Sequence, residues 1–285
     1  MELGIGLALV CAVATQLAFL CKHRGASRAP EVKLAAPLRS ARALLRSRWF
    51  AIGMAVAAGA WLLHVAALAL APLSTVQAVL STGVVILAVM GDRIFGHAVS
   101  RRQWAGVAMT AVGLTLLVLT LPSSHGNDGA FAVPGLLAFE AVTLALGTLL
   151  IVAPRLGAPV RHHGVLLGAA AGVLFGVSDV AVKALTGVAG GGLLGVVASP
   201  WLPVAAAASV LAFLASARGF QQGEAVPVIA GTSTAANLTC IVGGIVVFGD
   251  ALAAGILLAV QLAAFALVAA AALVTPNGHE RVSFS

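Results

Sequence analysis

Apolar residues run along this chain in long unbroken stretches, separated by short polar segments and by one longer basic one. They do not alternate as barrel strands do over about ten residues, so they read as helices. A hydrocarbon layer about 30 Å thick takes about 20 apolar residues of helix, and the pattern supplies nine such spans: Leu3 to Cys21, Trp49 to Ala71, Leu73 to Met90, Trp104 to Leu121, Val133 to Val152, Gly164 to Leu185, Val196 to Ala217, Val226 to Phe248 and Leu252 to Val274. No soluble domain fits between them. The expected fold is all-α, a polytopic membrane helix bundle.

Composition agrees. Hydrophobic residues make up 61% of the 285 and charged ones 9%, against about 25% charged in soluble domains. The bilayer is therefore the first partner. Basic residues set the orientation, because short cytoplasmic loops retain lysine and arginine. Residues 22–48 carry Lys22, Arg24, Arg28, Lys33, Arg39, Arg42, Arg46 and Arg48 against Glu31 alone, so this loop is expected inside, with the N-terminus outside and the C-terminus cytoplasmic, in a plasma (inner) membrane. Alternation then places Arg93, Arg101, Arg102, Arg155, Arg161, Arg218 and Arg281 inside as well, leaving Lys183 on the outer half. The basic cluster follows the first apolar run instead of preceding it, unlike a cleaved signal peptide. The net charge of +7 follows from this asymmetry and from attraction to anionic lipid heads, and no nucleic-acid partner is expected.

Within the basic loop, LAAPLRSARALLRSR mixes apolar and basic residues at helical spacing, which suits a short helix on the inner membrane surface. Trp49, Trp104 and Trp201 each open a span and are expected as interfacial anchors; Trp61 does not. Cys11, Cys21 and Cys240 form no CxxC pair and no cluster with histidine.

The chain also repeats itself. GVVILAVMGDRIFG (83–96) resembles GGIVVFGDALAAG (243–255), LAFLCK resembles DVAVKAL, and LTLPSS resembles LVTPNG. Spans one to four then match spans six to nine. This divides the chain into a first repeat at 1–121 with its basic loop 22–48, a connecting fifth span with flanking loops at 122–163, and a second repeat at 164–285. With an odd number of spans between them, the copies enter the membrane from opposite sides. Inverted repeats place a binding site near the midplane and permit alternating access by rocking one half against the other.

These stretches, with GLALVCAVATQLAFLCKHRG, ALALAPLSTVQAVL, RRQWAGVAMTAVGLTLL and the VPGLLAF…VAPRLG region, resemble the drug/metabolite transporter superfamily of EamA-like proteins, and in particular its NIPA-type magnesium-transporter branch. The likeness covers nearly the whole chain. It implies an integral membrane transporter built on an inverted repeat; for the NIPA-type branch it also implies magnesium as cargo. The family usually has glutamate after the helix-end glycine or asparagine, where this chain has Asp92 and Asp250. Many members have ten spans, whereas the second is absent here, an arrangement that the NIPA-type proteins share.

Candidate site residues are the polar groups inside spans. Gly164, Gly168, Gly172 and Gly176 recur every four residues and drift slowly around one side of the sixth span, a stripe that admits another backbone. Asp179 and Lys183 project within the same arc, four apart and acid before base, the favourable order for an intrahelical ion pair. They either fix packing or border a substrate path. His64 in span two has a titration range suited to a proton-coupled cycle, or bonds a neighbouring carbonyl. Glu140 in span five must be neutral, paired or facing water. Thr15 and Gln16 in span one, Ser74, Thr75, Gln77, Ser81 and Thr82 in span three, and Thr232, Ser233, Thr234, Asn237 and Thr239 in span eight point together to a central cavity, though each alone suits helix packing. The candidate substrate path comprises Thr15, Gln16, His64, Gln77, Thr82, Asp179, Lys183, Thr234 and Asn237, with Asp179, Glu140 and His64 as candidates for ion or proton coupling. Asp92 and Asp250 are expected to bond helix N-termini or loop amides.

There is no HExxH, GxSxG, P-loop or paired-aspartate motif in the chain, so catalysis is not expected and no cofactor is called for. A secondary carrier is the simplest reading. Its cargo is a small polar molecule or an ion. Magnesium would want oxygen ligands, while a quaternary cation would want an aromatic cage that a chain without tyrosine offers poorly. An accessory or lipid-translocating role without a soluble substrate is the remaining class. A homodimer is compatible with all three.

Overall fold

Lipid offers the backbone no hydrogen-bond partner, so a spanning segment must satisfy its own N–H and C=O groups as a helix or a closed barrel. The computed structural model describes residues 2–33, 36–70, 79–80, 82–94, 96, 100–120, 132–188, 192–249 and 254–274, and every regular element among them is helical. The helices are α1 (Glu2–Ala26), α2 (Pro37–Leu45), α3 (Arg48–Leu70), α4 (Gly83–Arg93), α5 (Arg101–Thr120), α6 (Val133–Val152), α7 (His163–Val188), α8 (Gly192–Ala198), α9 (Trp201–Gln222), α10 (Ala225–Phe248) and α11 (Ile256–Val274). Two short 3-10 turns, Ala153–Leu156 and Val160–His162, join α6 to α7. Among the described residues, Glu2–Ala26, Val133–Leu156, His163–Leu185, Trp201–Gln222 and Ala225–Phe248 are long and apolar enough to cross a membrane, with Arg48–Leu63 and Ile256–Val268 as shorter apolar helices. The chain is an integral membrane protein of helical-bundle class.

Proline and glycine punctuate these helices as their backbone chemistry requires. Pro37 and Pro134 sit in first turns, where a missing N–H costs nothing. Gly157 (φ 96°) and Gly249 (φ 70°) end helical segments in the left-handed region that glycine enters without a Cβ penalty. The expected seventh span, Val196 to Ala217, is divided. Its first residues belong to α8, and α9 starts at Trp201 after Ser199 and Pro200. Pro200 cannot donate to a continuous ladder, so an apolar run that reads as one helix becomes two. Trp201 is also corrected. It is buried among Val180, Ala184, Ala205 and Val247, and packs inside the protein instead of anchoring at its rim.

Core clusters reveal how the helices run. The largest joins the C-terminal ends of α1, α4 and α9 to the N-terminal ends of α3, α5 and α10, through Leu20, Phe50, Leu87, Val107, Phe220 and Ile229. A second joins the N-terminal ends of α6 and α9 to the C-terminal ends of α7 and α10. Within these clusters α1 and α3, α4 and α5, α6 and α7, α7 and α9, and α9 and α10 are antiparallel, whereas α7 and α10 run parallel. The first of these ends also gathers Lys22, Arg24 and Arg48, and is called the basic end below.

The glycine stripe of α7 does what its period predicts. A Cβ on Gly164 would lie 2.4 Å from Gly223 Cα, one on Gly168 2.7 Å from the Val228 carbonyl, one on Gly172 2.2 Å from the Thr232 carbonyl, and one on Gly176 2.5 Å from Thr239 Cβ. Three of these four contacts are with backbone. Helix α7 thus seats directly on α9 and α10 and forms the centre of the second half. In the first half α1 packs against α3 much as α7 packs against α9, while α5 pairs with α11 and α4 touches α10.

Candidate functional site

Helix α6 shows the sharpest departure from apolar packing. One side presents Leu137, Val142, Leu146 and Leu149 outward, as a lipid-facing surface should. The other buries Leu136, Phe139, Glu140 and Gly147 against α7 and α10, with Gly147 meeting Leu174 and Phe139 reaching Gly243. Glu140 is 4% exposed, and its Oε1 has no hydrogen-bond partner among the described residues. Leaving a buried acceptor unsatisfied costs about 1–3 kcal/mol, more if it is charged, and nearly all buried polar groups avoid it. Packing alone gives no reason for a carboxyl here.

A second unpartnered group lies in the first half. Gln16 on α1 is 5% exposed; its Oε1 also lacks a hydrogen-bond partner among the described residues. Its Nε2 comes within 2.8 Å of where Gly83 would carry a Cβ, so Gln16 occupies the space that this glycine leaves on α4. Thr82, next to Gly83, donates to the Val79 carbonyl at 2.6 Å. Thr15 stands 3.9 Å from Cys11 Sγ, and Cys11 donates to the Ala60 carbonyl of α3 at 3.1 Å. His64 follows Ala60 by one turn of α3. Its side chain, like Gln77, Ser74, Thr75, Ser81 and Asp250, lies outside the described residues. Asp92 is exposed in the last turn of α4 and bonds no helix N-terminus among the described residues.

Along the α7–α10 seam the expected Asp179–Lys183 ion pair gives way to contacts with another helix. Cys240 Sγ donates to Asp179 Oδ2 at 3.6 Å, and Lys183 Nζ stands 4.2 Å over the Phe248 ring. Both partners belong to α10, whose close approach along the glycine stripe puts them nearer than the next turn of α7 does. Asn237, three residues before Cys240 and on the same side, donates from Nδ2 to the Ser233 carbonyl at 2.9 Å. Thr232 and Thr239 bond back to Val228 and Ala235, the ordinary way a membrane helix satisfies a hydroxyl. Thr234 is buried on the same helix. The candidates therefore divide between the α1–α3–α4 group, with Gln16, Thr15 and Thr82, and the α7–α10 seam, with Asp179, Lys183, Asn237 and Thr234.

At the basic end, residues far apart in the chain are held together by hydrogen bonds. Gln221 of α9 donates to the carbonyls of Ala26 (3.0 Å), Ala29 (3.3 Å) and Pro30 (3.0 Å) and accepts from the Val32 N–H at 2.9 Å. Arg218 bonds the Val32 carbonyl and pairs with Glu31 at 2.9 Å. Ser27 donates to the Phe220 carbonyl at 3.2 Å, and His23 Nε2 lies 3.2 Å from that of Gly223. Nearby, Gln103 of α5 donates to Glu224 at 2.8 Å. Segment 23–33 is thus clamped onto the end of α9. The ion pair contributes little, since Glu31 is 65% exposed. The hydrogen bonds carry most of it.

Sequence reasoning passed over Gln221, Cys240 and Gln261. Gln261 is buried in α11 and donates to the Thr120 carbonyl of α5 at 3.0 Å; a lone glutamine in an apolar run was its signal. Gln221 had none, because its partners lie some 190 residues away. Among the described residues no three His, Cys, Asp or Glu side chains gather as a metal-holding group. No protein-family model matches the chain, and no curated protein or solved structure is detectably similar to it.

Proposed function

We propose that this chain is a secondary transporter of the drug/metabolite transporter type, moving a small polar solute or ion by alternating access between two inverted four-helix halves. The observation that carries the reading is Glu140, a carboxyl buried in an apolar helix without a partner for one oxygen. Such a group is costly to keep in a membrane, and an ionisable residue inside a span is by default a candidate for a pathway or relay. Gln16, equally unpartnered in the first half, adds a second polar group free for a passing solute. The repeat is supported by the likeness of the α1–α3 and α7–α9 pairs, and by the pairing of α5 with α11 and of α4 with α10, which are the spans that the repeat matches with one another.

In this mechanism the clamp between segment 23–33 and α9 holds the basic end shut. Opening there releases Gln221 and Arg218 from the Ala26 to Val32 backbone, while the glycine-packed unit of α7, α9 and α10 moves as one body. Glu140, on the connecting helix, exchanges its proton or ion as the halves rock.

Flux tests this. The purified chain is reconstituted in liposomes and examined for uptake of magnesium, by an entrapped indicator, and of a labelled panel of amino acids and small organic anions. Gradient-driven movement of at least one probe, lost in Glu140→Gln, is expected. Movement of magnesium alone identifies the NIPA-type reading. No movement of any probe refutes the carrier and leaves the accessory class.

A further inference from the structure

Helix α2 is nine residues long and buries one side only. Ser40 and Leu44 face the protein, with Ser40 holding Lys33 through bonds to its N–H (3.0 Å) and carbonyl (3.1 Å). On the opposite side Leu38 is 84% and Leu45 51% exposed, seven residues apart and therefore on one line. Beside them Arg39, Arg42 and Arg46 are exposed at i, i+3 and i+7, within about 60° of the helix circumference. Like charges at this spacing repel. Favourable contact with the helix C-terminus offsets this for the last of them only. Glu31, the one acid in residues 22–48, is committed to Arg218. Among the described residues no acidic group pairs with Arg39, Arg42, Arg46 or Arg48. A row of guanidiniums without an internal counter-charge, alongside exposed leucines, suits an amphiphilic anion.

The surroundings say which. Trp49 is partly exposed at the start of α3, with the Arg24 guanidinium 4.4 Å over its ring, an arrangement suited to the headgroup layer. Ile52 and Met54, further along α3, are exposed on a helix that packs beside α2. We propose that α2 binds anionic phospholipid: Arg39, Arg42 and Arg46 take the headgroup phosphate, bidentate where geometry allows, and Leu38 and Leu45 enter the acyl region. This holds whether or not the chain is a transporter.

The test counts lipids bound to the purified chain by native mass spectrometry, titrating phosphatidylglycerol against phosphatidylcholine of the same acyl chains. Wild type should prefer phosphatidylglycerol. Each arginine removed should lower that preference about fivefold, and the triple variant Arg39→Gln/Arg42→Gln/Arg46→Gln on the order of a hundredfold. Arg101→Gln/Arg102→Gln, which removes two arginines outside α2, should leave it nearly intact. If the triple variant does not fold, Arg42→Gln alone reads the fivefold step. Equal binding of the two lipids by wild type, or an undiminished preference in the arginine variants, overturns the proposal. Displacement of the lipid by millimolar inorganic phosphate would mark a free-anion site and overturn it as well.

Discussion

Replacing Gly172 by alanine places one methyl group at the tightest point of the α7–α10 seam. Its Cβ would meet the Thr232 carbonyl at 2.2 Å, Ala235 Cβ at 2.8 Å and the Ala236 nitrogen at 2.9 Å. None of these is the mobile end of a long side chain, so the helices must separate by roughly 1 Å to restore ordinary contact. A gap of that size forfeits a quarter to a half of the dispersion energy of each neighbouring contact. Gly164, Gly168 and Gly176, on the same stripe, where a Cβ would likewise fall 2.4 to 2.7 Å from a neighbouring atom, share the loss. Alanine returns up to about 1 kcal/mol as a better helix former. Overpacking costs about 1–3 kcal/mol at ordinary core sites, and backbone on every side puts this one at the upper end. We expect a net loss of about 1–2 kcal/mol, a fall in melting temperature of roughly 2 to 8 °C in mild detergent. Gly59→Ala, with nothing within 4 Å, should melt at or slightly above wild type. A Gly172→Ala protein as stable as Gly59→Ala would refute the view that the stripe exists for close packing.

Other outcomes follow from the polar groups. Glu140→Leu should raise stability by about 1–3 kcal/mol, because it removes an unsatisfied buried acceptor, while abolishing flux; a loss of stability in the melt would instead make Glu140 structural. Gln221→Ala frees three carbonyls and one N–H of segment 26–32, and amide exchange there should accelerate by at least tenfold, with α7 unchanged. Arg218→Gln should do less than Gln221→Ala, and the gap between them should widen in 0.5 M salt, which screens the ion pair on its exposed Glu31 side. Gln261→Leu should lower the melting temperature by a few degrees through loss of its bond to Thr120.

Helix class, the glycine seam and the surface helix α2 were legible in the sequence, because each depends on a local period: apolar runs, glycine at every fourth residue, and basic and apolar residues at helical spacing. Hydropathy averages over Pro200 and so missed the break that separates α8 from α9. Trp201 read as a rim residue because it opens an apolar run, yet α7 and α10 close over it. Asp179 and Lys183 read as a pair because spacing along one helix cannot say what a neighbouring helix brings; α10 brought Cys240 and Phe248. The clamp was invisible for the same reason, since Gln221 and Arg218 find their partners in the other half of the chain. Glu140 was visible as a polar residue in a span. That one of its oxygens has no partner only packing could show.

Rocking of the two halves at the basic end is best tested by electron-paramagnetic-resonance distance measurement between spin labels at Arg28 and Gln222, in a background without native cysteine, in liposomes. The account predicts two populations, a short one matching the clamped structure and one several ångströms longer, with Gln221→Ala shifting weight to the longer. A single short distance, unmoved by Gln221→Ala and by any transported solute, would contradict it.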